Sequence, residues 1–523
     1  MSTPAVVEQE NDPALGLPWS LGSILRWGLI AIISAVMLYL VWGLYLSGEP
    51  LFAVVVMAIC IGIVTVFGGN RFYAARFVFP AITAILVFIA LPVIYTSYVG
   101  FTNFGARNLL TFDRVTTQFL AQLEIDKSTE RPFSLVEVGD EYQIFLPQGE
   151  GGLLSSTFAF GDGAIQSVKV SEVATAPAET LAMRDVIKLH SQLQALEVVL
   201  PNGGRLSLSG LRSFAFIQQV YERQASGVLL NNLDGTHLTP DQKIGFYVTD
   251  DGQTVAPGWR VGVGFDNFKR VLFSDGVQQP MVQVFIWTVT FALLSTMFTF
   301  GLGILLASIL QWEHLRFRNL YRVLLILPYA VPAFISILVF RGLFNQNFGE
   351  INLILEAIFG TRPMWFTDPN LARVMTLIVN IWLGYPYMML ISMGYLQSVP
   401  AEHYKAAALE GVGPLRTFFS ITLPQILPPF VPLLIANFAF NFNNVVLILL
   451  LTRGLPDIPG TQVTAGQTDL LGSVAFRMSF MDAGQNFGLA GAIATMTFII
   501  VAGIAYANFV ALRAFAKNKG VGR

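Results

Sequence analysis

The chain has 523 residues, of which 54% are hydrophobic and only 12% are charged, and its mean hydropathy is +0.61. Soluble globular proteins carry about 25% charged residues, so this composition excludes that class and indicates an integral membrane protein. A net charge of −2 gives no indication of nucleic-acid binding. The single cysteine, Cys60, excludes both an internal disulfide and a zinc site built from thiolates.

Eight apolar runs are long enough to cross a membrane, because a helix needs about 20 residues to span the hydrocarbon core. We number as spans 1 to 8 the residues 27–46, 51–67, 77–99, 281–310, 320–343, 374–396, 424–451 and 487–512. Each proline inside a span removes a backbone donor and is expected to kink the helix, at positions 328, 332, 386, 428, 429 and 432. The predicted fold class is an all-α transmembrane bundle.

Charges in the loops predict the orientation, because basic residues accumulate on the cytoplasmic side. The loops after the even-numbered spans carry Arg71, Arg76, Arg316, Arg318, Arg322, Lys405, Arg416, Arg513, Lys517, Lys519 and Arg523. The opposite loops have few basic residues and carry Glu49, Glu350, Asp368, Asp457 and Asp482. We therefore expect both termini in the cytoplasm and the long segment after span 3 outside it.

That long segment, residues 102–280, contains no apolar run of membrane length. Residues 196–210 predict a β-hairpin, because Asn202 and Gly203 form a strong turn sequence. Residues 141–147, 164–170 and 245–252 also have strand character, and residues 180–196 have helical spacing. The content of Phe, Leu and Val argues against a disordered insert. We predict a β-rich domain with one or two helices.

Missing motifs narrow the functional class. The sequence has no GxxxxGK[ST] loop, so the chain does not bind ATP by that route. The cores of spans 3 to 8 lack Asp, Glu, Lys, Arg and His, which ion-coupled carriers usually place at membrane depth. Sodium can be held by carbonyl and hydroxyl groups, so such a carrier stays open as an alternative. No paired carboxylates or nucleophile–base pair within the spans supports a membrane enzyme.

Two stripes of amide and aromatic residues lie at helical spacing inside the membrane. The stripe in span 6 contains Asn380, Leu383, Gly384 and Tyr387. The stripe in span 7 contains Asn437, Phe440, Asn441 and Asn444. Amides can bond sugar hydroxyls, an aromatic ring can cover a pyranose, and glycine lets a ligand approach the backbone. The alternative, which spacing alone favours, is that the amides hold helices together at about 0.6–2 kcal/mol per hydrogen bond.

The segment between spans 6 and 7, residues 402–424, predicts two short helices. Residues 406–410 favour a helix, and the glycines and proline at 411–414 interrupt it. Apolar side chains then follow on a side that should be wet, at Phe418, Phe419, Ile421 and Leu423. An exposed apolar group bordered by charge indicates a docking site for another protein, and packing beneath the bundle is the alternative.

This segment also carries a family resemblance. KAAALEGVG at 405–413 and ITLP at 421–424 resemble the EAA motif of permease subunits of ATP-binding-cassette importers. Residues 321–352, 380–394, 438–457 and 486–498, with both ends of the external segment, are similar to the MalF family of maltose permeases. The resemblance covers nearly the whole chain and implies the type I importer permease fold. Its implied parts are spans 1–3 at 1–101, a periplasmic β-rich domain at 102–280 and a permease core at 281–523.

The resemblance further implies a substrate and partners. A member of this family would translocate maltose and maltodextrins across the bacterial inner membrane by alternating access. The implied partners are a second, MalG-like permease, two MalK-like ATPase subunits and a periplasmic maltose-binding protein that docks on the external domain. ATP and Mg²⁺ would be held by the ATPase, so no cofactor, metal site or enzymatic activity is expected in this chain.

The positions that match the family's sugar cavity are the residues of the two stripes. This match favours a sugar-binding site over contacts between helices. The positions that match its ATPase-coupling loop are Glu402, Lys405, Ala406, Ala408, Glu410, Gly411, Gly413, Phe418, Ile421, Leu423 and Pro424. Lys405 stands where the family has Glu, Glu410 where it has Asp, and Asn437 where it commonly has a smaller hydroxyl residue. A permease for another disaccharide and a sensory receptor remain as alternatives, besides the ion-coupled carrier.

Overall fold

The computed structural model describes residues 21–69, 71–149, 151–160, 166–225, 227–312, 315–482 and 484–518. The chain divides into two compact units. Residues 107–261 form one, which we call the inserted unit, and the residues before and after them form the membrane unit. The expected external domain, 102–280, is therefore longer than the inserted unit. Residues near its ends belong to the membrane unit because the backbone N–H of Val263 donates to the carbonyl oxygen of Phe101 at 2.8 Å.

The membrane unit begins with three apolar helical segments that match spans 1 to 3. The first two are α1 (Leu21–Leu46) and α2 (Pro50–Gly68). The third consists of α3 (Ala75–Ile85), a π-helical turn (Leu86–Ala90) and α4 (Leu91–Gly100). Most of their apolar side chains are exposed, as at Phe77 (76%) and Phe88 (77%). A helix that is apolar on all sides and exposed fits a lipid environment.

Over its described residues the inserted unit contains two sheets and three short helices, so its predicted β-rich character is confirmed, with more helices than the one or two expected. The helices are α5 (Phe112–Leu120), α6 (Met183–Lys188) and α7 (His190–Leu193). The strands are β1 (Leu123–Pro132), β2 (Ser134–Val138), β3 (Glu141–Gln148), β4 (Gly151–Ser155), β5 (Gln166–Val173), β6 (Leu196–Val199), β7 (Arg205–Leu208), β8 (Ser213–Gln219), β9 (Tyr221–Arg223), β10 (Leu229–Asn231), β11 (His237–Asp241), β12 (Phe246–Val248) and β13 (Thr254–Val255).

The larger sheet has eight strands in the order β1-β8-β7-β6-β5-β4-β3-β2, and only β5 and β6 pair in parallel. The predicted hairpin is confirmed, since β6 and β7 pair antiparallel and Gly203 lies in the turn with a φ of +85°. Helices α6 and α7 bury Val186 and Leu193 in the core of this sheet. The smaller sheet, β13-β12-β11-β10-β9, shares its core with α5, which buries Val115 and Phe119.

After the inserted unit the chain is helical. The helices are α8 (Asp266–Phe273), α9 (Gln278–Leu310), α10 (Arg318–Ala330), α11 (Ala333–Leu343), α12 (Glu350–Phe359), α13 (Pro369–Gln397), α14 (Ala401–Leu409), α15 (Pro414–Thr417), α16 (Leu423–Phe442), α17 (Val445–Leu451), α18 (Leu471–Phe480) and α19 (Phe487–Asn518). A π-helical turn, Phe418–Thr422, precedes α16. Helix α9 packs against both α13 and α16, so the two predicted stripes lie on neighbours of the same helix.

Span 5 is bent, and the other spans differ from expectation in detail. Seven helical segments in the described ranges are long and apolar enough to cross a membrane, and α10 with α11 makes an eighth, bent by 92°. The bend follows Val331 and falls at Pro332, which has no N–H to continue a helix. The prolines at 386, 428, 429 and 432 do not interrupt α13 and α16. Neighbouring groups in a bundle can satisfy the carbonyl that a proline leaves free.

Span 7 is divided into two helices, although its apolar run had predicted one continuous helix. Helix α16 ends at Phe442, and α17 begins at Val445. Between them Asn443 has a φ of −111° and a ψ of 24°, and the side chain of Asn444 accepts a hydrogen bond from the backbone of Leu447. Asparagine favours such capping positions because its side chain competes with the helical backbone bonds. Two adjacent asparagines therefore divide the predicted span.

Candidate functional site

Three asparagines from α13, α16 and the start of α17 form a hydrogen-bonded group, which we call the amide cluster. Nδ2 of Asn380 donates to Oδ1 of Asn441 at 2.8 Å, and Nδ2 of Asn444 donates to Oδ1 of Asn380 at 3.0 Å. Nδ2 of Asn441 donates to the carbonyl oxygen of Asn437 at 2.9 Å. Asn380 and Asn441 are only 5% and 3% exposed, so they need these partners.

The break in span 7 helps to build this cluster. The stripe was expected on one helix face, but Asn444 lies beyond the end of α16. There its Oδ1 accepts from the N–H of Leu447 at 3.4 Å while its Nδ2 reaches Asn380. One side chain thus caps α17 and joins it to α13. The spacing therefore predicted correctly which residues meet. Asn444, however, reaches the cluster from the start of α17 and not from the same helix face as Asn441.

Asn437 and Gly384 contact helix α9, which the sequence had not placed at the site. Nδ2 of Asn437 lies 3.4 Å from Oγ1 of both Thr296 and Thr299. A Cβ at Gly384 would lie 2.8 Å from the methyl group of Thr299. The missing side chain at Gly384 therefore allows helix α9 to approach closely, whereas the sequence had suggested the close approach of a ligand. The pair of hydroxyl residues three positions apart in span 4 is the sequence signal that could have identified Thr296 and Thr299.

The remaining stripe residues differ in exposure. Leu383 is half-buried and packs against an apolar cluster that includes Met375 and Val379. Tyr387 and Phe440 are 39% and 68% exposed. The structure therefore places buried amides on the same helices as accessible aromatic rings, and none of the eight stripe residues carries a charge. Such a surface suits a neutral ligand that has both hydroxyl groups and an apolar face.

The segment from Glu402 to Pro424, which we call the coupling segment, forms two short helices as predicted, the first of which begins one residue earlier, at Ala401. Helix α14 ends before Gly411, whose φ of +69° allows the chain to turn, and α15 follows. The hydroxyl groups of Tyr404 and Thr422 lie 3.1 Å apart, and Nε2 of Gln425 lies 2.9 Å from Nδ1 of His403. These bonds hold α14 against the start of α16.

The exposed apolar row expected at the end of the coupling segment is only partly present. Phe419 is 63% exposed, but Phe418, Ile421 and Leu423 are half-buried. Phe418 and Leu423 are turned inward because the π-helical turn leads them onto a buried apolar cluster. Within the coupling segment the most exposed apolar side chains are instead Leu409 (89%) and Leu415 (76%). The other predicted coupling residues are exposed, namely Glu402, Lys405, Ala406, Ala408, Glu410, Gly411, Gly413 and Pro424.

A second polar group, which we call the ion-pair cluster, holds the connection between α17 and α18. Asp469 is fully buried, accepts from Ser473 at 2.7 Å and forms a close ion pair with Arg477. Arg477 also pairs with Asp457 at 3.1 Å. Burial raises the pKa of the Asp469 carboxyl to about 6. A Cβ at Gly454, where φ is +83°, would overlap both Asp469 and Arg477. The sequence had identified only Asp457, as a loop charge.

Three known families match successive parts of the chain. Residues 24–71 match the N-terminal transmembrane helices of MalF. Residues 110–264 match the P2 domain of the maltose transport system permease protein MalF. Residues 276–513 match the binding-protein-dependent transport system inner membrane component. Together the matches cover most of the chain in the order that the structure shows.

Similar proteins span nearly the same length. The maltose/maltodextrin transport system permease protein MalF of Escherichia coli (strain K12) is 42% identical over 507 residues, which are 95% of this chain and 98% of the relative. MalF of Klebsiella aerogenes is 43% identical over 503 residues, with shares of 95% and 98%. Among solved structures, a bacterial alginate ABC transporter in complex with an alginate pentasaccharide-bound periplasmic protein is 22% identical. It covers 49% of this chain and 84% of its own, with a TM-score of 0.42.

Proposed function

This chain belongs to the MalF family of transport permeases and is a multi-pass subunit of an ATP-binding-cassette transporter in the inner membrane, and from this we propose that it imports maltose and maltodextrins. The sugar would pass between helices α9, α13 and α16 by alternating access. Both termini would lie in the cytoplasm and the inserted unit in the periplasm. The chain is a transport subunit, so the energy would come from a partner ATPase.

The observation that carries the sugar assignment is the uncharged amide cluster on helices that also present two accessible aromatic rings. A sugar hydroxyl both donates and accepts, as an amide does, so it can replace a bond between two asparagines. The net cost of such an exchange is small, because each lost bond is regained with the ligand. Phe440 and Tyr387 could then cover the apolar face of a glucose ring. A charged cluster would not exchange its bonds in this way.

The site is tested by removing two amides together. The double variant Asn441→Ala, Asn444→Ala should lose hydrogen bonds worth about 1–3 kcal/mol each to buried ligand hydroxyls. We expect radiolabelled maltose uptake to fall by at least tenfold in a strain without its own maltose permease, while the complex still assembles. The control is Asn370→Ala, because Asn370 is exposed near the start of α13 and lies outside the cluster. Normal uptake by the double variant would exclude this cluster as the sugar site.

Energy coupling is assigned to the coupling segment. We infer that the protruding Leu409, Leu415 and Phe419 enter apolar pockets of a MalK-like ATPase, with the exposed charges of Glu402, Lys405 and Glu410 at the rim. Interfaces combine an apolar centre with a polar border in this manner. ATP and Mg²⁺ would be bound by two such ATPase subunits, and a MalG-like permease would complete the pore. A periplasmic maltose-binding protein would dock on the inserted unit.

Cysteine labelling distinguishes docking from simple exposure. With Cys60 replaced, single cysteines at positions 409 and 415 should react with a maleimide in the free chain and become protected when the ATPase is bound. A cysteine at Leu211, which is 55% exposed in the inserted unit, serves as the matched control and should stay reactive. Equal labelling at 409 and 415 with and without the ATPase would show that the ATPase docks elsewhere.

A further inference from the structure

Arginines at one end of the membrane unit differ in what neutralises them. Arg362 pairs with Glu356 at 2.5 Å, and Arg477 pairs with two aspartates in the ion-pair cluster. Arg373 makes two hydrogen bonds of 2.9 Å to Gln467 and stacks over the ring of Trp287. These three side chains are each satisfied within the chain. In the part of the chain that the structure describes, their neighbours Arg341 and Arg453 pair with no carboxylate.

Arg341 lies in the last turn of α11, which is the second half of the bent span. Among the described residues its side chain makes one hydrogen bond, from Nη1 to the carbonyl oxygen of Leu450, at 3.2 Å. It is half-buried, and the positive charge of Arg453 acts on it from the end of α17. Among the described residues no carboxylate lies within ion-pair distance of either arginine. Two like charges, one of them partly removed from water, are unfavourable without an anion.

A cavity of about 380 Å³ opens beside Arg341. Its lining combines the guanidinium with Gly342, Asn345, Leu338 and Phe366. Oδ1 of Asn345 accepts from the backbone N–H groups of residues 347 and 348, each at 3.0 Å, so its Nδ2 group remains as a donor. The cavity therefore has two donor groups on a side bordered by apolar side chains. Its volume is within the range of small-molecule sites.

We propose that this cavity binds the phosphate of an anionic phospholipid. A guanidinium can bind two phosphate oxygens at once, and Asn345 can donate to another. The apolar border of Leu338, which is 48% exposed, would contact the acyl chains. Arg341 lies in the last turn of the apolar helix α11, and a long basic side chain at the end of such a helix can reach the headgroups. Arg453 would add a second positive charge, and the bound lipid would fasten α11 to α17.

The test uses the full chain purified in a non-ionic detergent, with phosphatidylglycerol, phosphatidylcholine or inorganic phosphate added. Lipid binding is counted by native mass spectrometry, and the thermal unfolding midpoint is recorded in parallel. We expect phosphatidylglycerol to bind and stabilise the wild-type chain, and phosphatidylcholine and phosphate to do neither. Arg341→Gln should weaken phosphatidylglycerol binding by about tenfold or more, because a charge-assisted bond is lost. Arg362→Gln removes a charge from the same end without lining the cavity and should bind normally.

Gly342→Leu is a second variant that keeps every charge. A Cβ at this position meets no atom within 4 Å, and leucine favours a helix over glycine, so the protein should fold. Its side chain would fill the cavity and should also abolish selective phosphatidylglycerol binding. The proposal is wrong if both variants bind phosphatidylglycerol as the wild type does, or if phosphatidylcholine binds equally well. Stabilisation by inorganic phosphate alone would assign the cavity to a free anion. Loss of a copurifying permease from Arg341→Gln, with lipid binding unchanged, would assign it to a partner's carboxylate.

Discussion

The amide cluster and the ion-pair cluster both bury polar side chains in the membrane unit, but they bury different chemistry. Asn380, Asn441 and Asn444 are neutral and bond to one another at 2.8–3.0 Å. Asp469 and Arg477 are an ion pair, and Asp469 has no exposed surface. Neutral amide bonds can be exchanged for bonds to a ligand, whereas a buried charge that loses its partner remains uncompensated. Polar burial alone therefore does not identify a binding site, and the charge state distinguishes the two clusters.

The largest expected effect comes from removing the carboxylate of the ion-pair cluster. Asp469→Ala removes the buried oxygens that accept from Arg477, Ser473 and the N–H of Gly466, which a protonated carboxyl would keep, and should destabilise the chain by about 3–5 kcal/mol. We expect little folded protein, measured by size-exclusion chromatography in detergent. Asp457→Ala is the matched control and should cost far less, because the Asp457 side chain is 64% exposed. Normal folding of Asp469→Ala would remove the proposed contrast between the clusters.

The stability of the chain should depend on pH through the titration of Asp469, whereas the uncharged amides should make no such contribution. Its pKa is about 6 in the folded chain and 3.8 when unperturbed, so the folded state holds the proton more tightly. This stabilising contribution is present below pH 3.8, is lost as the pH rises to about 6 and stays absent above. Asp469→Asn should abolish this part of the pH profile, as measured by the thermal unfolding midpoint between pH 4 and 8. If the pH profiles of Asp469→Asn and the wild-type chain had the same shape, this prediction would be wrong.

The smallest effect is expected at the border of the amide cluster. Thr299→Val keeps the methyl group that faces Gly384 but removes an acceptor that lies 3.4 Å from Asn437. Because that hydrogen bond is long, stability should change by less than about 1 kcal/mol and maltose uptake by only a few-fold. The comparison is with the Asn441→Ala, Asn444→Ala double variant. An equal loss of uptake would mean that α9 contributes to the site as strongly as α13 and α16.

The membrane architecture was predictable because its cause is local. An apolar run of membrane length predicts a span without reference to the rest of the chain. A turn sequence such as Asn202-Gly203 likewise predicts its hairpin from neighbouring residues. The stripes at 380–387 and 437–444 were also visible from spacing. Their assignment as a site came from the family resemblance, since spacing alone favoured contacts between helices.

The class of protein, the number of apolar runs, the β-rich insert and the residues of the amide cluster could therefore be predicted from the sequence. The bend of span 5, the break at Asn443 and the inward turn of Phe418 and Leu423 became apparent only in the folded chain. The partners of Asp469, and the absence of a carboxylate beside Arg341 among the described residues, likewise emerge only when distant helices meet. Hydropathy and helix or strand propensity depend on residues that are near one another in the sequence. Burial and pairing of a polar group depend on residues far away in sequence.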